Sequence, residues 1–358
     1  MNIDFHYGVI YIVARLAGLP LADATTVAHA CQYIDDSTNK GILEFAGGES
    51  YERFATAHGM LDYKNEQTLE DRRVWAPFHF LPACEGSTLE EKYVCRPDSA
   101  VARAMVKHAL QSRQQDNALH RLGITLHVYV DTWAHQNFSG TISAGNVVKS
   151  LKSDDCTAEQ WKAKLLGYLN TAKDEVITDL ADHLSKLGHG AAIHFPDLSW
   201  AKWEYDDGTG RHIVRDNLPD FIAAADMAHR VIRGFQSKVA DFTQENGLAD
   251  DVKTALRSLL DSSRSHNEVE RSDLLCQQVA QGAIPGLREQ VPRYIAKGEG
   301  SWKHLATGIT DVSGDGDGKP AWSEAFETSD YRKFHDAVKT HRFIVTQEIL
   351  PGFGLRLA

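Results

Sequence analysis

Apolar residues recur at helical spacing along most of this chain, while the alternation that marks a half-buried strand is scarce. The pattern predicts helices over 5–17, 21–34, 99–115, 117–135, 157–187, 219–246, 250–263, 271–280 and 331–350. Gly18 and Pro20 stop the first, the turn-forming run Asp35-Asp36-Ser37-Thr38-Asn39 closes the second, and Gly188 ends the long one after 157. Only 204–214, around Gly208 and Gly210, reads as a hairpin. The chain is therefore expected to be mainly α: a multi-helix single catalytic body with long irregular loops and at most a short β-hairpin. Residues 40–82 read as one irregular excursion, the kind of segment that inside a compact domain usually serves function. A weak break divides 1–290, a helical metal-binding catalytic body, from 291–358, a C-terminal loop and helix packed back on it through Trp302, Trp322 and Phe326.

Composition removes several classes. With 42% hydrophobic and 24% charged residues in 358, the chain is ordinary globular material. Lys and Arg total 38 against 49 Asp and Glu, a formal net charge of -11, which argues against duplex DNA as a partner. No run approaches the ~18 apolar residues of a membrane-spanning helix. Residues 1–6 lack a basic segment and Arg15 interrupts the apolar run behind them. No secretory signal is evident, so a cytoplasmic location is expected, with non-classical secretion as the alternative. The five cysteines, Cys31, Cys84, Cys95, Cys156 and Cys276, show no CxxC spacing and are expected as free thiols, a Cys84–Cys95 bridge being conceivable.

The 17 histidines are a surplus for an acidic chain, and some fall in ordered positions. His127, Asp131 and His135 stand at i, i+4 and i+8, drifting only about 80° around a helix, so two imidazoles and a carboxylate share one face. Those are ligands for zinc or another first-row divalent ion. Leu126, Val128 and Val130 make the surroundings apolar, against the plain alternative of a solvated polar stripe. In Gln32-Tyr33-Ile34-Asp35-Asp36, Asp36 shares a face with Gln32 and His29 and is the first choice for a metal-bridging or proton-accepting carboxylate, with Asp35 as the alternative. His79 lies between Phe78 and Phe80 in a Pro-bounded segment and is either a core histidine or a ligand; His6, between Phe5 and Tyr7, is read the same way. His189 is flanked by glycines that let the backbone approach a site closely, and His194 follows. Asp179 and His183 read as a surface pair, and His58, His108, His120, His304 and His341 as surface or structural residues.

This order of ligands resembles that of the zinc-dependent phospholipase C and single-strand-specific nuclease superfamily: an early His, an Asp ending the next helix, a loop His, His-x3-Asp-x3-His and a later His. The chain also resembles, more closely, an uncharacterised bacterial family with an Asp-Phe-His-Tyr start, Gln-Tyr-x-Asp-Asp, His-Phe-Leu-Pro and His-x-Tyr-x-Asp-x-Trp-Ala-His; that likeness brings no activity. The first resemblance implies an all-helical fold and a metal cluster held by His6, Asp36 (or Asp35), His79, His127, Asp131, His135 and His189. The implied cofactor is zinc, one to three ions, with manganese or iron as alternatives. There are departures. The chain opens Met1-Asn2 where those enzymes open on a zinc-binding Trp, the Asp131–His135 spacing is short, and Ile193 stands where the final His-x3-Glu/Asp pair has its carboxylate, leaving Asp197 as the nearest substitute.

The activity expected from this set is metal-dependent hydrolysis of a small-molecule or lipid phosphoester, the cluster activating water and Asp36 or Asp35 bridging or taking its proton. Gln32 and Asn137 are candidates for fixing imidazole tautomers. Tyr51, Phe54, Trp75 and Phe78 are candidates for a substrate wall. One rival is a di-metal oxidoreductase, but no Glu stands three residues before any His, as such bundles require. The other is a non-catalytic helical protein with a structural metal. The Gly/Asp run at 311–318 imitates a calcium loop, yet its twelfth position is Trp322 rather than a bidentate Glu.

Overall fold

The computed structural model describes residues 1–57, 69–171, 188–239, 241–311 and 318–357. A π-helical turn, Asp4–Val9, runs into α1 (Ile10–Leu16). Gly18, at φ +100°, makes the break before α2 (Leu21–Asp36). A hairpin follows, β1 (Gly41–Glu44) with β2 (Ser50–Arg53), Leu43 facing Tyr51. Next come α3 (Leu69–Phe78), α4 (Leu89–Tyr93), α5 (Ala100–Gln111) and α6 (Ala118–Ala134). β3 (Val148–Ser153), α7 (Ala158–Thr171), β4 (Lys202–Asp207) and β5 (His212–Asp216) lead to α8 (Asn217–Ser237). The chain closes with α9 (Asp250–Ser262), α10 (Glu268–Gln281), α11 (Trp302–Thr307), α12 (Glu324–Glu327) and α13 (Asp330–Phe343), the last running on through the π-helical Ile344–Ile349. Strands β3, β4 and β5 form one antiparallel sheet in that order.

Helix α6 is the axis of the molecule. Every one of its residues except Leu119 is buried, and it packs against α2, α5, α8 and α13. The α2–α6 crossing is closest at Gly123, where an added Cβ would lie 2.4 Å from the Val27 carbonyl oxygen and 2.6 Å from the Ala30 Cβ. Three apolar clusters surround this axis. The largest joins the N-terminal segment with α2, α5, α6, α8 and the C-terminal Val345, Leu350 and Leu355. A second gathers Tyr33, Leu43 and Tyr51 with Trp302, Phe326 and Phe334, so the C-terminal helices cover α2 and the first hairpin. The third packs Phe80, Phe138, Phe195 and Trp203 against the three-stranded sheet.

The fold is mainly α, as expected, and the expected hairpin at 204–214 is present as β4–β5. Two strand elements lie beyond it: β3 on that sheet and the separate β1–β2 pair. The excursion at 40–82 is therefore partly ordered, holding that pair and α3, and its four-residue strands are too short to show alternation. The helix expected to reach 246 ends at Lys238, whose φ of +63° breaks it. His120 and His341, read as surface or structural residues, are structural: both are buried, with 3% and 4% of their surface exposed. Each has a partner that sequence does not reveal: His120 Nε2 lies 3.0 Å from Asp330 Oδ1, and His341 Nε2 donates to the Pro77 carbonyl at 3.0 Å. All five cysteines are free thiols. Among the described residues, no helix is long and apolar enough to cross a membrane. The expectations for His58, Asp179 and His183, and for the Gly/Asp run over 312–317, lie outside the described residues.

Candidate metal centre

Burying polar groups on a core helix requires partners for them, and α6 buries His127 and Asp131, with His135 at its C-cap. The partners arrive from four other places in the chain. The π-helical turn supplies His6, the end of α2 Asp35, and the segment just past α3 His79. The loop at 188–197, built of two short 3-10 turns, supplies His189 and Asp197.

The tautomers follow from the backbone. His127 Nδ1 donates to the Cys31 carbonyl at 2.8 Å, and His135 Nδ1 to the His79 carbonyl at 2.8 Å. His79 Nε2 donates to the Thr56 carbonyl at 2.8 Å, and His189 Nδ1 to the Ile193 carbonyl at 3.0 Å. A carbonyl only accepts, so the proton of each neutral ring is on that nitrogen and the other nitrogen carries a lone pair. Those lone pairs face further acceptors. His127 Nε2 lies 3.4 Å from His79 Nδ1 and 3.2 Å from Asp131 Oδ2. His135 Nε2 is 3.3 Å from Asp197 Oδ1, and His189 Nε2 is 3.5 Å from Asp197 Oδ2. Asp131 Oδ2 is buried with no hydrogen-bond donor. Acceptor set against acceptor is unfavourable unless a cation lies between them, and nitrogen and carboxylate donors of this kind suit zinc or a neighbouring first-row ion.

The ligand atoms gather in three groups, each within 4.8 Å: His6, His127 and Asp131; Asp35, His79 and His127; His135, His189 and Asp197. His6 joins two carboxylates, its Nδ1 3.0 Å from Asp35 Oδ2 and its Nε2 3.1 Å from Asp131 Oδ1. The Met1 amino group is 2.7 Å from Asp131 Oδ1 and 3.2 Å from Asp197 Oδ1.

Protonation suits the same purpose. Burial pushes His127 and His189 down to about 4, which leaves both rings neutral at pH 7. Burial opposes ionisation of Asp131 and Asp197, but the Met1 ammonium and the imidazoles outweigh it and hold both well below the usual carboxylate range. Asp35 is lowered too, by His127 and His6 against its own burial. Burial and the Met1 ammonium also oppose a charged His6, yet Asp131 and Asp35 raise its pKa. Neutral imidazoles and ionised carboxylates are the forms that bind metal, so a metal at His6 would displace the proton that its two carboxylates favour.

The structure brings together six of the expected residues: His6, His79, His127, Asp131, His135 and His189. The carboxylate from α2 is a correction. Asp35 stands among the imidazoles, whereas Asp36 joins none of the three groups. Neighbouring helical residues point about 100° apart, and Asp36 turns to Gln32 Nε2 at 3.1 Å and the Tyr294 hydroxyl at 2.6 Å. The imidazoles are oriented by backbone carbonyls, not by Gln32 or Asn137. His194 is exposed at the cavity wall. Asp197 completes the third group from eight residues past His189, a distance that a loop permits and no helical periodicity announces. Between them Ile193 sits at φ +55°, a strained conformation for a β-branched residue, and its carbonyl fixes His189.

A cavity of about 580 Å³ opens in front of these groups. Trp75, Phe80 and Leu198 form its apolar side, and Phe80 stacks on His135 with ring centroids 4.6 Å apart. Among the described residues its carboxylates are Asp35, Asp36, Asp131, Asp197 and Glu268, and no Lys or Arg lines it.

The fold and the site define a mainly helical protein with buried His/Asp clusters fit to hold metal ions at the floor of a cavity. The chain belongs to a family of unknown function (DUF6765), whose model matches residues 1–349. No curated protein and no solved structure matches it.

Proposed function

We propose that this protein is a metal-dependent hydrolase of phosphoesters. The observation that carries the reading is the inward set of lone pairs: His79, His127, His135 and His189 each give one N–H to a backbone carbonyl and present the other nitrogen to shared acceptors. His6, Asp35, Asp131 and Asp197 complete the ligand set. Zinc bound there, or manganese or iron, would supply Lewis-acid charge and lower the pKa of a water molecule toward ~7. The chain's own residues position and exclude. Asp35 reaches imidazoles of two groups, at 3.0 Å from His6 Nδ1 and 3.7 Å from His127 Nε2, and would be the carboxylate shared between them. Trp75, Phe80 and Leu198 keep water from one side of the cavity. A phosphoryl group suits this site because, among the described residues, five carboxylates and no Lys or Arg line the cavity and the Met1 ammonium is already engaged by Asp131 and Asp197, so bound cations would have to supply the charge that attracts an anion.

A metal that merely staples helices sits in a closed site, and an open cavity of about 580 Å³ favours catalysis over that alternative. The test joins elemental analysis of purified protein to a panel of phosphodiester, phospholipid and single-stranded nucleic-acid substrates. Bound Zn, Mn or Fe with hydrolysis that His127→Ala abolishes is the expected result. Metal without hydrolysis makes the centre structural, and redox turnover alone makes it an oxidoreductase. No metal, with unchanged thermal stability in His127→Ala, removes the site altogether.

A further inference from the structure

Three of the cavity's five carboxylates belong to the candidate metal groups. Asp36 and Glu268 do not. Asp36 is held by one oxygen: Tyr294 and Gln32 both donate to Oδ2, which leaves Oδ1 unengaged by either. The same bond fixes the Gln32 amide, since its nitrogen faces Asp36. Its oxygen Oε1 is buried with no donor, on a side chain only 6% exposed that lines the cavity. An unmatched buried acceptor is a free-energy penalty that a donor from a ligand would remove. Glu268, the first residue of α10, stands on the same cavity lining.

Among the described residues, the nearby Arg271 and Lys297 make their hydrogen bonds to other groups. Arg271 gives two hydrogen bonds to Asp4, at 3.0 and 3.2 Å, and one to the Ser265 carbonyl. Lys297 donates to Thr38 Oγ1 at 3.3 Å.

We propose that Gln32, Asp36 and Glu268 form a recognition wall for a protonated, N–H-bearing amine on the ligand that fills this cavity. The Asn2 amide, oriented to accept from Arg271, donates to Glu268 Oε2 at 3.3 Å. The remaining oxygens of Gln32, Asp36 and Glu268 still call for donors, and two carboxylates outside the metal groups call for positive charge. A primary ammonium brings both, whereas a further metal ion would need more ligands than this wall gathers among the described residues. The proposal rests on the hydrolase reading only for the ligand's phosphoryl arm; the amine arm stands whatever bond is cut.

The test uses the metal-loaded full chain and three matched probes titrated by calorimetry: 2-aminoethyl phosphate, 2-hydroxyethyl phosphate and phosphocholine. The aminoethyl compound is expected to bind about tenfold or more tightly than the other two, the effect of charge-assisted hydrogen bonds. In the double variant Asp36→Asn, Glu268→Gln that preference should fall to within about twofold, with inorganic phosphate affinity unchanged. Equal affinities in the parent, or a preference that survives the substitutions, overturn the proposal. So does phosphocholine matching the aminoethyl compound, which would make charge alone the determinant. Loss of a metal equivalent from the double variant would make the pair ligands and overturn it equally. If no phosphate binds, ethylammonium alone decides: binding that the double variant loses keeps the amine wall while the phosphoester reading falls, and no binding removes both.

Discussion

Gly123→Ala tests whether the α2–α6 crossing sets the geometry of the candidate centre. The new Cβ would stand 2.4 Å from the Val27 carbonyl oxygen, 2.6 Å from the Ala30 Cβ and 3.0 Å from the Cys31 nitrogen. Carbon–carbonyl contacts settle at about 3.3–3.6 Å, so α2 must retreat by about 1 Å, and backbone atoms cannot rotate aside as a side chain would. Overpacking of this kind costs about 1–3 kcal/mol, and backbone obstacles on two sides place it at the upper end. Replacing a mid-helix glycine by alanine returns about 1 kcal/mol of helix propensity. The expected net loss is about 2 kcal/mol, read from urea unfolding of chelator-treated protein. A second readout is more specific. The same retreat stretches the 2.8 Å bond from His127 Nδ1 to the Cys31 carbonyl and carries Asp35 with it. Disturbing such an orienting contact weakens metal binding by about 10–100-fold, measurable by competition with a chromogenic chelator. Gly352→Ala, where nothing lies within 4 Å of the added carbon, is the control and should be near neutral. A Gly123→Ala protein as stable as its parent, binding metal equally well, would refute the reasoning.

Two further outcomes follow from buried charge. Burial holds His341 at about 3, against 6.5 when unfolded, so its share of stability is complete above pH 6.5 and is lost as pH falls below that value. About 2 kcal/mol should go between pH 7 and pH 5 from this group, and His341→Phe should flatten the pH slope of the urea midpoint by that amount; an unchanged slope rejects the assignment. Asp4 and Arg271 are a buried pair with 6% and 1% side-chain exposure, and Asp4→Asn leaves the guanidinium uncompensated. Unfolding should show a loss of about 3–5 kcal/mol, partly recovered by adding Arg271→Met, whereas a loss under about 1 kcal/mol contradicts it.

What sequence revealed about the site was whatever helical spacing encodes. His127, Asp131 and His135 are legible because one helix presents them at intervals of four, and the ordered single residues His6, His79 and His189 gained meaning beside them. The choice between Asp35 and Asp36 was not legible, because it turns on which face of α2 meets α6, and that is set by the close approach at Gly123. Asp197 was hidden for a related reason: a loop with a left-handed Ile193 obeys no period. The hairpin at 41–53 escaped because strands of four residues are stabilised by their tertiary cover, here Trp302, Phe326 and Phe334, more than by their own pattern. For His120 and His341 the choice between surface and structural was not legible, because their partners, Asp330 and the Pro77 carbonyl, are 210 and 264 positions away.

The main-chain partners of the four imidazoles have a consequence for how this protein can vary. Elsewhere, a carboxylate or amide side chain that steadies a metal-binding ring can be deleted by one codon change. Here the steadying atoms are the carbonyl oxygens of Cys31, Thr56, His79 and Ile193, which every amino acid possesses. Sequence drift at Cys31, Thr56 or Ile193 therefore leaves ring orientation untouched so long as the local backbone path persists. Mutational scanning should find the ligands intolerant and these three supporting positions permissive toward any side chain that fits. The vulnerable positions are instead those that set the path of the chain, Gly123 first among them.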